Sequence, residues 1–507
     1  MTNTLIAQST PVLSIIWIAL PFFIGFVIYL LPKFARWLAV VIALLSASYA
    51  LQIFLTGSPD GQLIQLLDNF GVTLIVDQLS GFFILTNALV TIAVILYCWQ
   101  TNKKAFFYMQ IVILHGSVNA AFICADFISL YVALEVISIA AFLLIAYPRT
   151  DKSIWVGLRY LFVSNTAMLF YLVGAILVYK ANNSFQFDGL INSPPEAIAL
   201  IFLGLLAKGG TFVSGLWLPL THSESETPVS AMLSGVVVKA GVFPLVRCAL
   251  MMEEIEPVVK IFGVGTALLG VGYAIFAADT KRTLAFSTVS QLGFVLAAPV
   301  AAGFYALTHG LVKSVLFLIA GFLPSRNFQE LKEQGIDPKI WLPLIIASFS
   351  ISGFPLLSGF GSKVLTTKNL LPWQVMAMNV AAVGTAITFA KFVFLPRSKP
   401  VLSHDDRVKT GEETKKLGSG GKKIPSGLWR AIVILLGGLI VANGIYYEAY
   451  TVANITKSLV IIAIGWLAHL LIFQKLMLKL PRAVEKFEHL IGVMSLMLIL
   501  VFWMVRI

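Results

Sequence analysis

The chain has 507 residues, of which 58% are hydrophobic and only 12% are charged, and its mean hydropathy is +0.90. A soluble domain carries about twice this charged fraction, so the composition excludes a soluble protein and indicates a polytopic membrane protein. The net charge of +12 comes from Lys and Arg residues between apolar runs, which makes them determinants of topology rather than a nucleic-acid site.

The first ten residues, MTNTLIAQST, lack a basic region, so we expect no cleavable signal peptide. A helix that crosses a membrane needs about 20 apolar residues, and by this rule the chain holds roughly sixteen spans. The spans are predicted near residues 13–31, 36–55, 79–99, 106–124, 126–147, 158–179, 196–220, 228–251, 257–278, 281–300, 302–322, 338–371, 373–395, 428–447, 452–474 and 486–506.

Two of these spans carry helix-breaking residues. In the seventh, Lys208 is followed by Gly209 and Gly210 and later by Pro219, and the long twelfth is interrupted by SGFPLLSGFGS at 352–362. Irregular backbone at membrane depth is tolerated only where it lines a cavity or lies within protein. The sequence therefore predicts two broken helices.

Basic residues concentrate in the loops that follow odd-numbered spans. Loops after even spans hold almost none, with Lys180 and Lys457 as the exceptions, and only the loop after the seventh span, HSESE, breaks the pattern. The positive-inside rule then makes the odd loops cytoplasmic and places the amino terminus outside. Segment 396–427, rich in Gly, Ser and Lys, is predicted to be a flexible basic cytoplasmic linker.

Six ionisable residues lie inside apolar runs, where each charge costs about 3 kcal/mol or more. Burial lowers the pKa of a lysine and a nearby carboxylate raises it, so such groups can exchange protons as their neighbours move. The pattern predicts a proton relay. A set of structural ion pairs without transport stays open as an alternative, whereas no selectivity-filter sequence of an ion channel is present. The residues are Glu135, Lys208, Lys239, His309, Lys313 and Lys363.

The two broken spans are five spans apart, so the second is inverted in the membrane relative to the first, as in transporters built from inverted repeats. We predict two half-channels, spans 4–8 within residues 76–255 and spans 9–13 within residues 256–395. Further transmembrane helices flank them in 1–75 and 428–507. No CxxC pair, no Walker loop and no GxGxxG motif after a strand occurs, so we expect no cofactor and no metal, and redox or ATP chemistry must belong to another chain.

Three stretches resemble the antiporter-like membrane subunits, a family that includes subunits of Mrp-type cation/proton antiporters and the large membrane subunits of complex I. They are LPLTHSESETPVSAMLSGVVVKAGVFPLVR, DTKRTLAFSTVSQLGFV and THGLVKSVLFLIAG. The resemblance covers roughly residues 75–395. It implies an all-α bundle of about 14–16 transmembrane helices with two inverted five-helix repeats, in which protons cross a central hydrated axis between the half-channels.

The resemblance also assigns roles to the six buried residues. Glu135 and Lys208 correspond to the coupling pair and Lys363 to the terminal residue of the twelfth span, while the intermediate groups are Lys239, His309 and Lys313. Implied partners are other membrane subunits of a hetero-oligomer and the lipid bilayer; the moving ions are either protons alone or protons together with Na⁺ or K⁺. The implied location is the bacterial inner membrane or the thylakoid membrane.

Two branches of the family stay open. Lys363, in place of the glutamate usual in complex I, favours the D-type subunit of Mrp antiporters, as do PVSAML and KAG. The family's Asp is absent from WLPLTHSESE, which keeps a proton-pumping subunit of an NAD(P)H–quinone oxidoreductase, and hence an enzyme assembly, as the alternative. The last two spans exceed the family's usual fourteen; they either contact a neighbouring subunit or add membrane anchoring.

Overall fold

The computed structural model describes residues 2–56, 61–67, 71–398, 424–476, 478, 480–482 and 485–506. Within these residues the chain is a helical bundle with one β-hairpin. Its first ten α-helices are α1 (Thr2–Leu30), α2 (Ala35–Thr56), α3 (Gln78–Cys98), α4 (Ala105–Ala121), α5 (Phe127–Ile145), α6 (Asp151–Asn182), α7 (Pro195–Lys208), α8 (Leu218–Glu224), α9 (Thr227–Met232) and α10 (Val238–Met251). The next ten are α11 (Glu256–Phe276), α12 (Thr280–Ala297), α13 (Ala302–Ala320), α14 (Phe328–Gln334), α15 (Pro338–Ser352), α16 (Ser358–Lys368), α17 (Pro372–Val393), α18 (Ser426–Asn443), α19 (Val452–Ala468) and α20 (Phe487–Arg506).

Thirteen helical segments of the described chain are long and apolar enough to cross a membrane. The other three predicted spans correspond to α4, α12 and α15. Helix α4 has only 17 residues, α15 is cut short by the predicted break, and α12 is rich in Ser and Thr. Nearly every residue of α12 is buried within the bundle, so its polar side chains avoid lipid. The prediction of an all-α polytopic membrane protein is confirmed.

Both predicted breaks are present. Helix α7 ends at Lys208, and a short 3₁₀ turn over Val213–Trp217 leads into α8. Helix α15 ends before Gly353, whose φ of 88° is left-handed and therefore suits glycine at a helix terminus. A third irregularity was not predicted: a π-helical turn over Leu233–Val237 joins α9 to α10.

Polar caps define where several spans begin. The side chains of Asp77, Asp126 and Asp279 accept hydrogen bonds from backbone N–H groups in the first turns of α3, α5 and α12, and Thr150 caps α6 in the same way. Such caps satisfy donors that the helix itself leaves unpaired. The spans thus start at short polar signals outside the apolar runs.

The β-hairpin was also not predicted, because it lies between the runs that identify spans. Strands β1 (Gln62–Leu67) and β2 (Gly71–Val76) pair antiparallel with Leu63 opposite Ile75. Ile75 N–H donates to the Ile123 carbonyl, and the Thr73 N–H donates to the Asp126 carboxylate. The hairpin is therefore fastened to the loop between α4 and α5.

The most deeply buried helices are at the centre of the bundle. Helix α13 packs against α3, α9, α12, α15, α16 and α18, and all of its residues are buried. The last two helices pack on their own chain, α19 against α17 and α20 against α7, but most of their surface faces outward. The half-channel boundaries stay a prediction, and most of the predicted linker at 396–427 lies outside the described residues.

Ion pairs tie together the loops that follow odd spans. Glu226 binds Lys103 at 2.6 Å, and Glu224 binds Lys152 at 2.6 Å. Arg326 binds Asp279 at 2.8 Å and Glu224 at 3.5 Å. The loops after spans 3, 5, 7, 9 and 11 therefore meet at one end of the bundle, which we call the basic end. The acidic HSESE loop breaks the charge pattern because its carboxylates neutralise lysines of neighbouring loops.

Candidate functional site

Lys208 lies at the end of α7, where the two following glycines terminate the helix. Its side chain is almost fully buried. The ammonium donates to the Leu134 carbonyl at 2.9 Å, to Ser164 Oγ at 2.7 Å and to Ser138 Oγ. These acceptors belong to α5 and α6 and match the three N–H bonds of an ammonium group. The end of a helix also favours positive charge, so the break and the neighbouring hydroxyls together create a site for a protonated lysine.

Glu135 follows Leu134 on α5 and lies close enough to Lys208 for their charges to interact. No ion pair within 4 Å joins the two side chains in the described structure. One carboxylate oxygen of Glu135 is buried and has no hydrogen-bond partner there. The structure therefore brings the predicted coupling pair close together without direct contact. The Lys208 ammonium instead donates hydrogen bonds to the hydroxyls of Ser138 and Ser164.

Lys239 lies just after the π-helical turn and is completely buried. Its ammonium donates to the carbonyls of Gly235 and Ser234 in that turn. A π turn interrupts the regular α-helical hydrogen bonding, and such turns frequently occur at functional sites. The Ser234 hydroxyl is 2.7 Å from Thr288 Oγ1 on α12, which extends the polar contacts toward the second predicted half-channel.

His309 and Lys313 lie one turn apart on α13 and are both buried. Lys313 donates to the Leu284 carbonyl at 3.0 Å and lies 5.3 Å from the centre of the Phe389 ring. Both ring nitrogens of His309 are without hydrogen-bond partners among the described residues. The charges of Lys239 and Lys313 act on His309, so the structure brings these three predicted relay groups into one cluster.

A small cavity with several polar side chains in its wall lies between His309 and Lys363. Its volume is about 10 Å³, which is the space of about one water molecule. Two hydrogen bonds cross its wall, from Tyr305 to Gln291 Oε1 at 2.6 Å and between Thr308 and Ser362 at 3.0 Å. Its lining residues include Gln291, Tyr305, Thr308, His309, Ser362 and Lys363.

Lys363 also faces a larger cavity of about 440 Å³, which we call the vestibule. The Lys363 ammonium donates to the Ser352 carbonyl at 3.1 Å. Much of the vestibule wall comes from the chain's end, including Glu448 and Lys457. Ser458 on α19 donates to the carbonyl of Gly353, in the break itself. The first of the two extra spans thus lines the same cavity as Lys363, the last of the predicted relay lysines.

The six predicted residues form two groups. Lys239 and Lys313 lie within electrostatic range of His309, and His309 shares a small cavity with Lys363. Glu135 and Lys208 lie on the other side of the crossing of α7 and α10. The helices touch there through glycine: a Cβ on Gly241 would lie 2.3 Å from the Gly209 nitrogen.

His222 on α8 is a residue that the sequence reasoning missed. It is fully buried, and within the part of the chain that the structure describes neither ring nitrogen has a well-aligned hydrogen bond, although the Leu218 backbone interacts with the ring. Its ring lies 5.8 Å from that of Phe317, and the charge of Lys313 acts on it. The sequence does show a histidine directly after a broken span, which could have indicated a buried site. The polar residues around it, SESE, indicated a solvated loop instead.

Lys391 on α17 is a half-buried lysine that was likewise not predicted as a site residue. Its ammonium donates to the carbonyls of Ala274 and Ala277 at 2.8 Å each. These carbonyls lie at the end of α11, where a lysine commonly satisfies unpaired backbone acceptors. A structural role accounts for Lys391.

Comparison with known proteins agrees with this architecture. The family model described as "NADH:quinone oxidoreductase/Mrp antiporter, TM" matches residues 124–388, which is just over half of the chain. The chain is 27% identical over 418 residues to the D-type subunit of the Na(+)/H(+) antiporter of Alkalihalophilus pseudofirmus, covering 75% of this chain and 85% of the relative. It is 29% identical over 420 residues to NAD(P)H-quinone oxidoreductase chain 4-2 of a Synechocystis species, covering 73% of this chain and 75% of the relative.

Two solved structures share the fold at 22% identity each. A chain of the Mrp complex from a Dietzia species superposes with a TM-score of 0.73 over 95% of this chain and 58% of that chain. A chain of the membrane-bound sulfane sulfur reductase, an archaeal respiratory membrane complex, superposes with a TM-score of 0.72 over 90% of this chain and 100% of that chain. With the matched family model, these likenesses lead to one conclusion: the chain belongs to the family of transmembrane subunits shared by NADH:quinone oxidoreductases and Mrp antiporters.

Proposed function

We propose that this chain is the proton-translocating subunit of a multisubunit, Mrp-like monovalent cation/proton antiporter. The observation that carries the proposal is the cluster of buried Lys239, His309 and Lys313, which a small cavity links to the half-buried Lys363 at the vestibule. Ionisable groups at membrane depth are costly and are typical of ion and proton pathways. Packing alone does not account for His309, whose buried nitrogens lack partners within the described chain.

The proposed path leads from this cluster to the end opposite the basic end. A proton on Lys239 or Lys313 passes through His309 and a water in the small cavity to Lys363. The vestibule then leads toward the end of span 12 and the loop after span 14, where Lys368 and Glu448 belong to its wall. By the positive-inside rule the loops after spans 12 and 14 face outward, so Lys363 would exchange protons with the outer side and the amino terminus would lie outside.

Glu135 and Lys208 form the proposed control point at the other side of the helix crossing. The Lys208 ammonium is held by backbone and hydroxyl groups in this state, and Glu135 lies nearby without binding it. Movement of the ammonium from Ser138 and Ser164 to Glu135 would change the field at Lys239. A change in electrostatic contact between two buried sites is sufficient to couple their proton affinities.

A second candidate is the equivalent subunit of a complex I-like NAD(P)H–quinone oxidoreductase. The similar identities to the D-type antiporter protein and to oxidoreductase chain 4-2 favour neither branch. Lys363 supports the antiporter. In an antiporter, partner subunits would supply the cation path; in an oxidoreductase, they would supply the quinone and electron chemistry. Co-purified partners identified by mass spectrometry distinguish the two assemblies.

The test uses the assembly purified from its own membrane and reconstituted in vesicles. Proton movement is followed with a pH-sensitive dye, driven by a Na⁺ or K⁺ gradient. We expect Lys208→Ala to abolish transport while subunit composition is unchanged, and Glu135→Gln to slow it sharply. Lys180→Ala replaces an exposed lysine and should transport normally. Full transport by Lys208→Ala would support a purely structural role for the charges, and an unchanged rate in Glu135→Gln would remove Glu135 from the path.

A further inference from the structure

A groove of about 650 Å³ lies between α6 and the start of α20, and no part of the relay uses it. We propose that this groove binds the phosphate headgroup of an anionic membrane lipid. Its wall includes Trp155, Arg159 and Phe162 from α6, together with Arg482, Lys486 and Glu488 at the start of α20. The inference does not depend on proton transport, because it concerns a separate surface of the chain.

Arg159 is the residue that points to a ligand. Its residue surface is only 6% exposed. One terminal nitrogen donates to the Glu485 carbonyl, while the other, NH1, is buried and has no hydrogen-bond partner among the described residues. A guanidinium group always carries its charge and presents its donors in a planar fork that fits phosphate oxygens. A buried, unpaired guanidinium donor in a groove wall would therefore be stabilised by an anionic acceptor bound in the groove.

The charges around the groove favour the same ligand. Arg482 and Lys486 add two exposed cations beside Arg159. The Glu485 carboxylate also lines the groove and acts on Arg159, but Arg282 binds it at 2.5 Å and so offsets its charge. The acidic groups of the wall are thus Glu485 and Glu488, against Arg159, Arg482 and Lys486 on the wall and the bound Arg282. The groove thus keeps a net positive charge in which a phosphate group is stabilised.

A lipid fits this groove better than a soluble anion. Trp155 and Phe162 are 57% and 58% exposed on the outer face of α6, where they can contact acyl chains. Trp155 lies in the second turn of α6, a position typical of tryptophan at the membrane interface. The groove lies near the basic end, because Lys152 at the start of α6 binds Glu224. By the positive-inside rule this end faces the cytoplasmic leaflet, whose lipids are commonly anionic.

The experiment uses the complete assembly in neutral detergent. Native mass spectrometry measures lipid retained per chain, and the thermal unfolding midpoint is measured after adding phosphatidylglycerol, phosphatidylcholine or inorganic phosphate. The test variant is Arg159→Gln. The matched control is Lys339→Gln, which removes an exposed lysine at the same end of the bundle and away from the groove. Arg482→Gln with Lys486→Gln removes only exposed charges and so reports on the groove even if the Arg159 variant fails to fold.

We expect wild type and Lys339→Gln to retain phosphatidylglycerol and to unfold at a higher temperature in its presence. Retention should fall at least about fivefold in Arg159→Gln and about two- to threefold in the double variant, while phosphatidylcholine has little effect on any of them. Equal retention by the Arg159 and Lys339 variants would overturn the proposal. It would also be overturned if inorganic phosphate protected as well as the lipid, or if a neighbouring subunit filled the groove and no lipid was retained.

Discussion

The helix crossing between Lys208 and Lys239 offers a sharp test of how packing supports the relay. Gly241 on α10 lies against the backbone of the α7 break. A Cβ built at Gly241 would be 2.3 Å from the Gly209 nitrogen and 2.7 Å from its Cα, whereas ordinary van der Waals contact begins near 3.4 Å. The substitution Gly241→Ala must therefore separate the two helices by about 1 Å at this point, because backbone atoms cannot rotate away as a side chain can.

Overpacking of this kind costs about 1–3 kcal/mol. The better helix propensity of alanine, at most about 1 kcal/mol, offsets only part of the loss. The displaced segment directly follows Lys208, and a misplacement of about 1 Å can slow a positioned transfer by up to about 100-fold. We therefore expect Gly241→Ala to lower the thermal unfolding midpoint of the assembly and to reduce dye-monitored proton transport by about 10- to 100-fold.

The matched control is Gly272→Ala on α11, where a Cβ would meet no atom within 4 Å. This variant should be as stable as wild type, or slightly more so, and should transport normally. If both variants behaved alike, the close crossing would not exist as described. If Gly241→Ala lost stability but kept full transport, the crossing would be a packing feature outside the proton path.

Three further predictions concern single contacts. Burial tends to raise the pKa of Asp77, but the hydrogen bonds and positive charge of Arg247 outweigh it and hold this pKa below its ordinary value. The stabilisation is therefore complete above the unfolded-state pKa of about 4 and is lost as the pH falls through the folded value. Asp77→Asn should cost about 3 kcal/mol at pH 7, and a midpoint difference from wild type that persisted unchanged to pH 3 would refute this. His222→Phe should keep stability, because it removes buried nitrogens without well-aligned hydrogen bonds, yet slow transport by about tenfold or more if the imidazole carries protons; a normal rate would give His222 a packing role. Ser458→Ala removes the hydrogen bond to the Gly353 carbonyl, worth about 1 kcal/mol, and we expect slower transport with unchanged subunit composition, whereas Ser495→Ala on an exposed face of α20 should have no effect.

The features that the sequence predicted well are those that a single local property determines. A run of apolar residues identifies a span, and glycine and proline within it identify a break. The energetic cost of a charge in lipid identifies Lys208, Lys239 and Lys313 as residues that need a polar interior. Each of these statements depends on a few consecutive residues, so no knowledge of the packing was needed.

The features that the sequence did not reveal depend on contacts between distant segments. The π turn before Lys239 looks like ordinary helix, because nothing in LSGVV differs from its surroundings in hydropathy. His222 stands among Ser and Glu, and only the packing of α8 inside the bundle shows that it is buried. The predicted coupling pair also depends on distant contacts. The proximity of Glu135 and Lys208 was predicted, but the hydrogen bonds from the Lys208 ammonium to Ser138 and Ser164 were not.

The ion pairs at the basic end bear on the span count itself. Glu226 can reach Lys103 only if the loops after the third and seventh spans lie on one side of the membrane, which requires an even number of crossings between them. The pairing of Arg326 with Glu224 imposes the same parity between the seventh and eleventh loops. An odd number of missed or extra helices in either interval would place these charges about 30 Å apart, across the hydrocarbon. The acidic loop that looked like an exception to the charge pattern thus supports it, because carboxylates within 4 Å of basic residues from other loops require those loops to lie on one side of the membrane.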